Sequence, residues 1–179
     1  RARLYDLWIE QSFAGGRASA LAGLYDLNSE FYTTDASGLL LAPPFGIGSE
    51  IAATGPNGPS IFPSTALALR VKATGANGAY GQAAVVNAKA STLGDPDGPD
   101  TAMDRGVLVI GEAGIGEGAR LAAGAWRYSE KQDDIRALTL AGEPARSIAQ
   151  GAYVLAEYPL LAGGATSAPP PPSCAPAPR

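Results

Sequence analysis

Residues 66–72 read ALALRVK, with Leu67, Leu69 and Val71 on one parity and Ala66, Ala68, Arg70 and Lys72 on the other. Such alternation has the period of a β-strand, which sends successive side chains to opposite faces. One face is apolar and the other carries two cations. Residues 4–13 repeat the arrangement: Tyr5, Leu7, Ile9 and Phe13 share a face, opposite Asp6, Trp8, Glu10 and Ser12. Such a wall can border a shared core or a lipid bilayer. No apolar run approaches the roughly 20 residues of a membrane helix, so a chain of this kind crosses a bilayer only with strands of about 9–11 residues whose backbone edges are closed.

Turn residues divide the rest into further strands. Gly15-Gly16 joins residues 4–13 to an Ala-rich strand over 17–26, and Asn77-Gly78 joins the 66–72 strand to another over 80–88. Residues 106–113, 119–129 and 150–158 bring the count to about seven. Parity is weaker in 106–113, where Leu108 and Ile110 fall on the same face as Glu112, and residues 150–158 are equally ambiguous. Residues 119–127 also suit a helix, being rich in Ala and Leu.

The residue inventory excludes much chemistry. There is no His and a single Cys174, which removes Cys/His metal sites, Ser-His and Cys-His catalytic arrangements and an internal disulfide framework. A net charge of -4 leaves no basic patch for nucleic acid. Asp95, Asp97 and Asp100 lie in a turn-rich loop and lack the full spacing of a calcium-binding loop. Residues 107–118, VLVIGEAGIGEG, suggest a strand entering a phosphate-binding loop. Glu117 and Gly118 stand where that loop needs Lys and Ser or Thr, which weakens a nucleotide-binding reading through 111–118.

Residues 23–63 form a long turn-rich excursion between two strands. Excursions of this length in a compact protein are generally functional or folded back. Phe31, Tyr32, Leu39 to Leu41, Phe45, Ile47, Ile61 and Phe62 make this one too apolar to wave freely. It is expected to fold inward and pack, or else to cap a barrel rim or a neighbouring subunit.

The runs AGLYDLNSEFYTT, GLLLAPPFGIG and GPNGPSIFPSTALALR, followed in order by RGVLVIGEAG, ARLAAGAWRYS and QGAYVLAEYPL, resemble the carbohydrate-selective porins of the OprB family. The resemblance implies an all-β fold of antiparallel strands in a transmembrane β-barrel, sixteen-stranded in the family, in the bacterial outer membrane. It implies passive diffusion of sugars such as glucose, with no catalysis, metal, cofactor or nucleic acid; the partners are sugars and outer-membrane lipid. The water-facing candidates for the channel are Arg70, Lys72, Glu112, Trp8, Glu10, Asp6 and Trp126, with Arg70 foremost. Charged groups hydrogen-bond sugar hydroxyls and aromatic faces cover the sugar's C–H surface. Each can equally be a solvated lumen residue, and the two tryptophans can belong to an interfacial girdle.

About seven strands make only an incomplete barrel. The organisation expected is a partial barrel domain over 1–160, with a long loop 28–63, and a Pro-rich disordered tail over 161–179. Family members are expected to end on a strand with a terminal aromatic residue, whereas this chain begins at Arg1 without a leader and ends at Arg179, the pattern expected of a fragment. A soluble β-rich carbohydrate-binding domain is the alternative. The sequence carries no signal for an oligomeric state.

Overall fold

The computed structural model describes residues 4–35, 37, 46–91, 99–116 and 119–159. They form one antiparallel sheet whose seven strands follow chain order: β1 (Leu7–Phe13), β2 (Ala18–Tyr25), β3 (Ala66–Thr74), β4 (Tyr80–Asn87), β5 (Val107–Ile115), β6 (Arg120–Leu138) and β7 (Pro144–Glu157). The sheet is open, with β1 and β7 at its edges. Connections are short at one end; at the other, those after β2 and β4 are long, and β6 and β7 meet in a tight turn at the tip of an extended hairpin. Asn77 and Gly78 both hold positive φ, 57° and 66°, and the Ala79 amide donates to the Ala76 carbonyl at 3.1 Å. That is the mirror-image turn whose twist matches a tight hairpin.

The register fixes the two faces. On one, Ile9, Ala22, Leu69, Val85 and Val109 lie side by side across β1 to β5. This outer face is apolar and bare: Ile9 is 78% exposed, Leu69 54% and Val154 70%. A water-soluble protein rarely leaves so broad an apolar surface uncovered. On the opposite, inner face, Ser19, Lys72, Gln82, Glu112, Gly124 and Tyr153 form a continuous row across β2 to β7.

The excursion after β2 folds onto this inner face, as its apolar residues suggest. Phe31 and Ile51, the latter in a one-turn helix α1 (Ser49–Ala52), are fully buried against Ala84, Val86, Leu108, Ile110, Trp126 and Tyr128. This resolves the parity of β5. Leu108 and Ile110 do face the same side as Glu112, and the loop covers them. The loop residues do not behave alike: Ile47 is buried, Tyr32 and Ile61 are half-buried, and Phe62 is exposed, while Leu39 to Leu41 and Phe45 lie outside the described residues.

Other expectations are settled by pairing. Residues 120–127 are strand, because Leu121 to Arg127 pair with both β5 and β7. Burial in a sheet overrides the helix propensity of Ala and Leu. The glycine-rich 111–116 ends a strand and enters a hairpin, with φ 127° at Gly116, and no helix follows to receive phosphate. The last hairpin is longer than its alternation suggests, since β6 reaches Leu138 and β7 begins at Pro144. Residues 130–134, EKQDD, are polar on both parities, so a hairpin surrounded by water leaves no alternating pattern there. Asp100 ion-pairs with Lys89 at 2.5 Å; Asp95, Asp97 and the tail from 160 onward lie outside the described residues. Among the described residues no acidic cluster is arranged to hold a metal.

Candidate functional site

Glu112, on β5, is the centre of the inner row. Its Oε1 accepts from the Tyr80 hydroxyl at 2.7 Å, from Arg120 Nη2 at 3.1 Å and from Gln82 Nε2 at 3.4 Å. Its Oε2 accepts from the Tyr153 hydroxyl at 2.8 Å and from the backbone amide of Tyr32 at 3.0 Å. A carboxylate removed from water needs its lone pairs filled, and here β4, β6, β7 and the loop fill them. Glycines make room for the aromatic donors. A Cβ on Gly124 would meet Tyr153 Cζ at 2.2 Å, and one on Gly114 would meet Tyr80 Cε1 at 2.5 Å, so both rings lie down on the sheet.

A second cluster adjoins the first through Glu30, a loop residue. Arg70, only 2% exposed, forms an ion pair with Glu30, its Nε 2.7 Å from Oε2, and donates Nη2 to Glu10 Oε1 at 3.0 Å and Nη1 to Ser19 Oγ at 2.7 Å. Lys72 Nζ reaches Glu30 Oε1 at 3.0 Å, and the Tyr25 hydroxyl donates to Glu30 Oε2 at 2.7 Å. Burial works to raise the Glu30 carboxyl, but the hydrogen bonds from Tyr25 and Lys72 and the charges of Lys72 and Arg70 outweigh it and hold it below the ordinary carboxylate value.

Together the clusters clamp four consecutive loop residues. Gln82 Nε2 donates to the Glu30 carbonyl at 2.9 Å, and Arg120 Nη1 donates to the Thr33 carbonyl at 2.8 Å. The loop backbone at Glu30, Tyr32 and Thr33 is therefore held by side chains of β4, β5 and β6, and the Glu30 side chain by Arg70 and Lys72 of β3. On the short-turn side of this clamp opens a cleft of about 570 Å³ lined by Glu30, Thr33, Lys72, Tyr80, Gln82 and Arg120, among others. Arg120 lies 5.2 Å from the Tyr80 ring centroid, a cation–π distance, and 3.9 Å from Glu157. Three cations, Arg70, Lys72 and Arg120, thus face four carboxylates, Glu10, Glu30, Glu112 and Glu157. Such a balanced surface offers many hydrogen-bonding groups and little net field.

Of the residues singled out in the sequence, the fold brings together Arg70, Lys72, Glu10 and Glu112. Only Lys72 of these four lines the cleft; Arg70 and Glu112 are buried and spend their hydrogen bonds on the protein. Trp8 and Asp6 stand apart at the loop end of β1, with the indole donating to the Asp6 carboxylate at 3.1 Å. Trp126 is on the inner face but only 5% exposed, stacked over Gly151 and edge-on to Tyr128, where it serves the loop's core and has neither a girdle's lipid exposure nor open lumen around it. Glu30, Tyr80, Gln82, Arg120 and Tyr153 were not foreseen. Tyr80 and Gln82 share the parity of Glu112 across the β4–β5 pair, a signal that alternation can supply. Glu30 has none, since a loop has no parity.

Comparison with known proteins bears on the polar clamp and the bare outer face together. The family model of the carbohydrate-selective porins, OprB family, matches residues 1–158. The chain belongs to this family. Membership places it among outer-membrane β-barrel proteins, and the family consists of channels, not enzymes. A search of curated protein sequences finds no match. Among solved structures, the high-pH structure of Pseudomonas putida OprB aligns with a TM-score of 0.64 at 20% identity, over 86% of this chain and 40% of that one. This likeness is one of fold. The chain spans less than half the length of that relative.

Proposed function

We propose that these strands form part of the wall of a channel through which sugars, glucose among them, diffuse passively across the outer membrane, and that the cleft beside the clamped loop is where the sugar is in contact. The observation that carries the proposal is the cleft's lining: Lys72, Arg120, Glu30 and Gln82 offer donors and acceptors, and Tyr80 offers a ring, beside a loop that narrows the passage. A neutral polyhydroxyl solute gains from such a surface without a net charge to match it. Arg70 and Glu112 act in this reading by holding the loop, and Glu10 by holding Arg70. An open sheet exposes unpaired backbone at β1 and β7, which lipid does not tolerate, so the working form of the wall is a larger closed barrel.

The test is conductance in planar bilayers, with and without added glucose, for the chain and for a version extended to a closed barrel. Glucose should reduce the ion current of the closed form, and Lys72→Gln or Arg120→Gln should weaken that block by roughly 3–10-fold, the net loss of one hydrogen bond. A closed channel whose current glucose leaves unchanged would refute the sugar reading.

A further inference from the structure

The outer face of β1 to β5 carries no charged residue at all: every position of that parity is apolar, small, or one of the amides Gln11 and Asn87. The pattern stops at β6. Arg127 lies in the same row as Val109 and opposite Gln150, so its side chain belongs to the lipid-facing side, and its Nη1 donates to Gln150 Oε1 at 2.7 Å. Beyond a register shift between Arg127 and Lys131, the alternation of β7 keeps Ile148 and Arg146 on the face of Gln150, where they pair with Lys131 and Asp133. Arg146 pairs with Asp133 at 3.6 Å, between two well-exposed side chains, and its Nη2 donates to the Lys131 carbonyl at 2.7 Å. Three cations and one carboxylate in settled register therefore line one edge of this surface, with Glu130 exposed in the shifted stretch between Arg127 and Lys131.

Depth decides what such a cluster meets. Leu121, at the short-turn end of β6, and Arg127 are six residues apart, about 20 Å along a strand and about 15 Å along the bilayer normal once the strand's tilt is counted, against an apolar band about 25 Å tall. Arg127 therefore sits just past the middle of the bilayer on the long-loop side, with its stem in hydrocarbon and its guanidinium extended toward the headgroup layer. Lys131 and Arg146 lie one and two steps further out, on the part of the hairpin that projects beyond the other strands. Guanidinium and ammonium groups at that level face the phosphates of the leaflet, and Arg forms forked pairs with phosphate.

Resting on the membrane reading, we infer that Arg127, Lys131 and Arg146 form a binding site for the phosphorylated headgroup of an outer-leaflet glycolipid, seated against the outside of the β6–β7 hairpin. The acyl chains lie on the apolar strands below. Each cation near a membrane surface contributes independently, so the site discriminates phosphorylated from dephosphorylated lipid by roughly 30-fold or more.

The experiment uses protein purified from its own outer membrane in mild detergent. It is titrated with bisphosphorylated lipid A, with its dephosphorylated form and with inorganic phosphate, and bound species are counted by native mass spectrometry. Retention of the phosphorylated lipid alone, lost in the variant R127Q/K131Q/R146Q and kept in R127K/R146K, is the expected result. Equal retention of both lipids, retention that survives the glutamine variant, or binding of inorganic phosphate with equal strength would overturn the site. Glucose flux measured on the same preparations separates the two proposals: the headgroup site can fail while flux persists. A protein absent from the membrane fraction would overturn both.

Discussion

A buried carboxylate with five donors is an anchor, and substitution at Glu112 should read as such. Glu112→Gln keeps the size but presents an amide N–H to one of the donors that Glu112 now accepts from, among them the Tyr32 amide, the Tyr153 hydroxyl and Arg120. Leaving one buried donor unmet costs about 2 kcal/mol, which should speed hydrogen exchange of the Tyr32 amide by roughly 30-fold while the strands keep their protection. Unchanged exchange would remove Glu112 from the clamp. Gly124→Ala tests the same anchor from below, since its methyl would displace the Tyr153 ring. That substitution should cost about 1–3 kcal/mol, and adding Tyr153→Phe should then cost little more, because the hydrogen bond to Glu112 is already lost. Additive losses in a double-mutant cycle would mean that ring and glycine are independent. Arg70 was legible in the sequence because an Arg amid Leu, Leu and Val at alternate places must face the other way. Its role was not. Whether a lumen cation meets solute or protein depends on where the loop lies, and no local pattern records that.

At the level of elements, the loop is held twice, by an apolar patch and by a polar clamp. The apolar half was readable from composition, since Phe31, Ile47 and Ile51 have no reason to be in a water-exposed turn. The polar half was not, because Glu30 looks like any loop carboxylate until Arg70 and Lys72 are beside it. The two halves differ in their response to pH. Glu30 titrates below its ordinary value of 4.5 when the loop is docked, so docking is favoured by its ionised form. That contribution is fully present above the undocked value and is lost as pH falls through the lower, docked one. Exchange at Tyr32 should therefore accelerate as pH drops from about 5 toward 3, after correction for intrinsic exchange, and Glu30→Gln should abolish this pH dependence while slackening the loop at neutral pH. A pH response that persists in Glu30→Gln would assign it to another carboxylate. The β6–β7 extension is the converse lesson. Its strands are made by pairing with each other in water, where neither face needs to be apolar, and so they left no mark of period two.

For the molecule as a whole, the arrangement is the reverse of a soluble sheet: the polar residues are enclosed beneath a loop, and the large aliphatic ones are bare. This much the alternation of residues 66–72 already contained, because it assigns Leu69 and Arg70 to opposite sides; only the neighbour on each side was undetermined. A charge placed on the bare side discriminates between the possible neighbours. Leu69 lies midway along β3, is 54% exposed, and has Ala22 and Val85 beside it on the same face. Facing water, Leu69→Lys would change stability by no more than about 0.5 kcal/mol and would improve solubility. Facing the middle of a bilayer, the same lysine has no water to solvate it and no partner of opposite charge in its row, so it should destabilise the folded form by about 2–4 kcal/mol. Urea unfolding of a closed-barrel form in phospholipid vesicles, followed by the emission of the buried Trp126, measures the difference. Moving the lysine outward to Leu7→Lys, near the long-loop end, should reduce the penalty to about 0–1 kcal/mol, because the ammonium there reaches the headgroups. A depth-dependent penalty belongs to lipid alone; a small, uniform effect at both positions would mean that this face meets water.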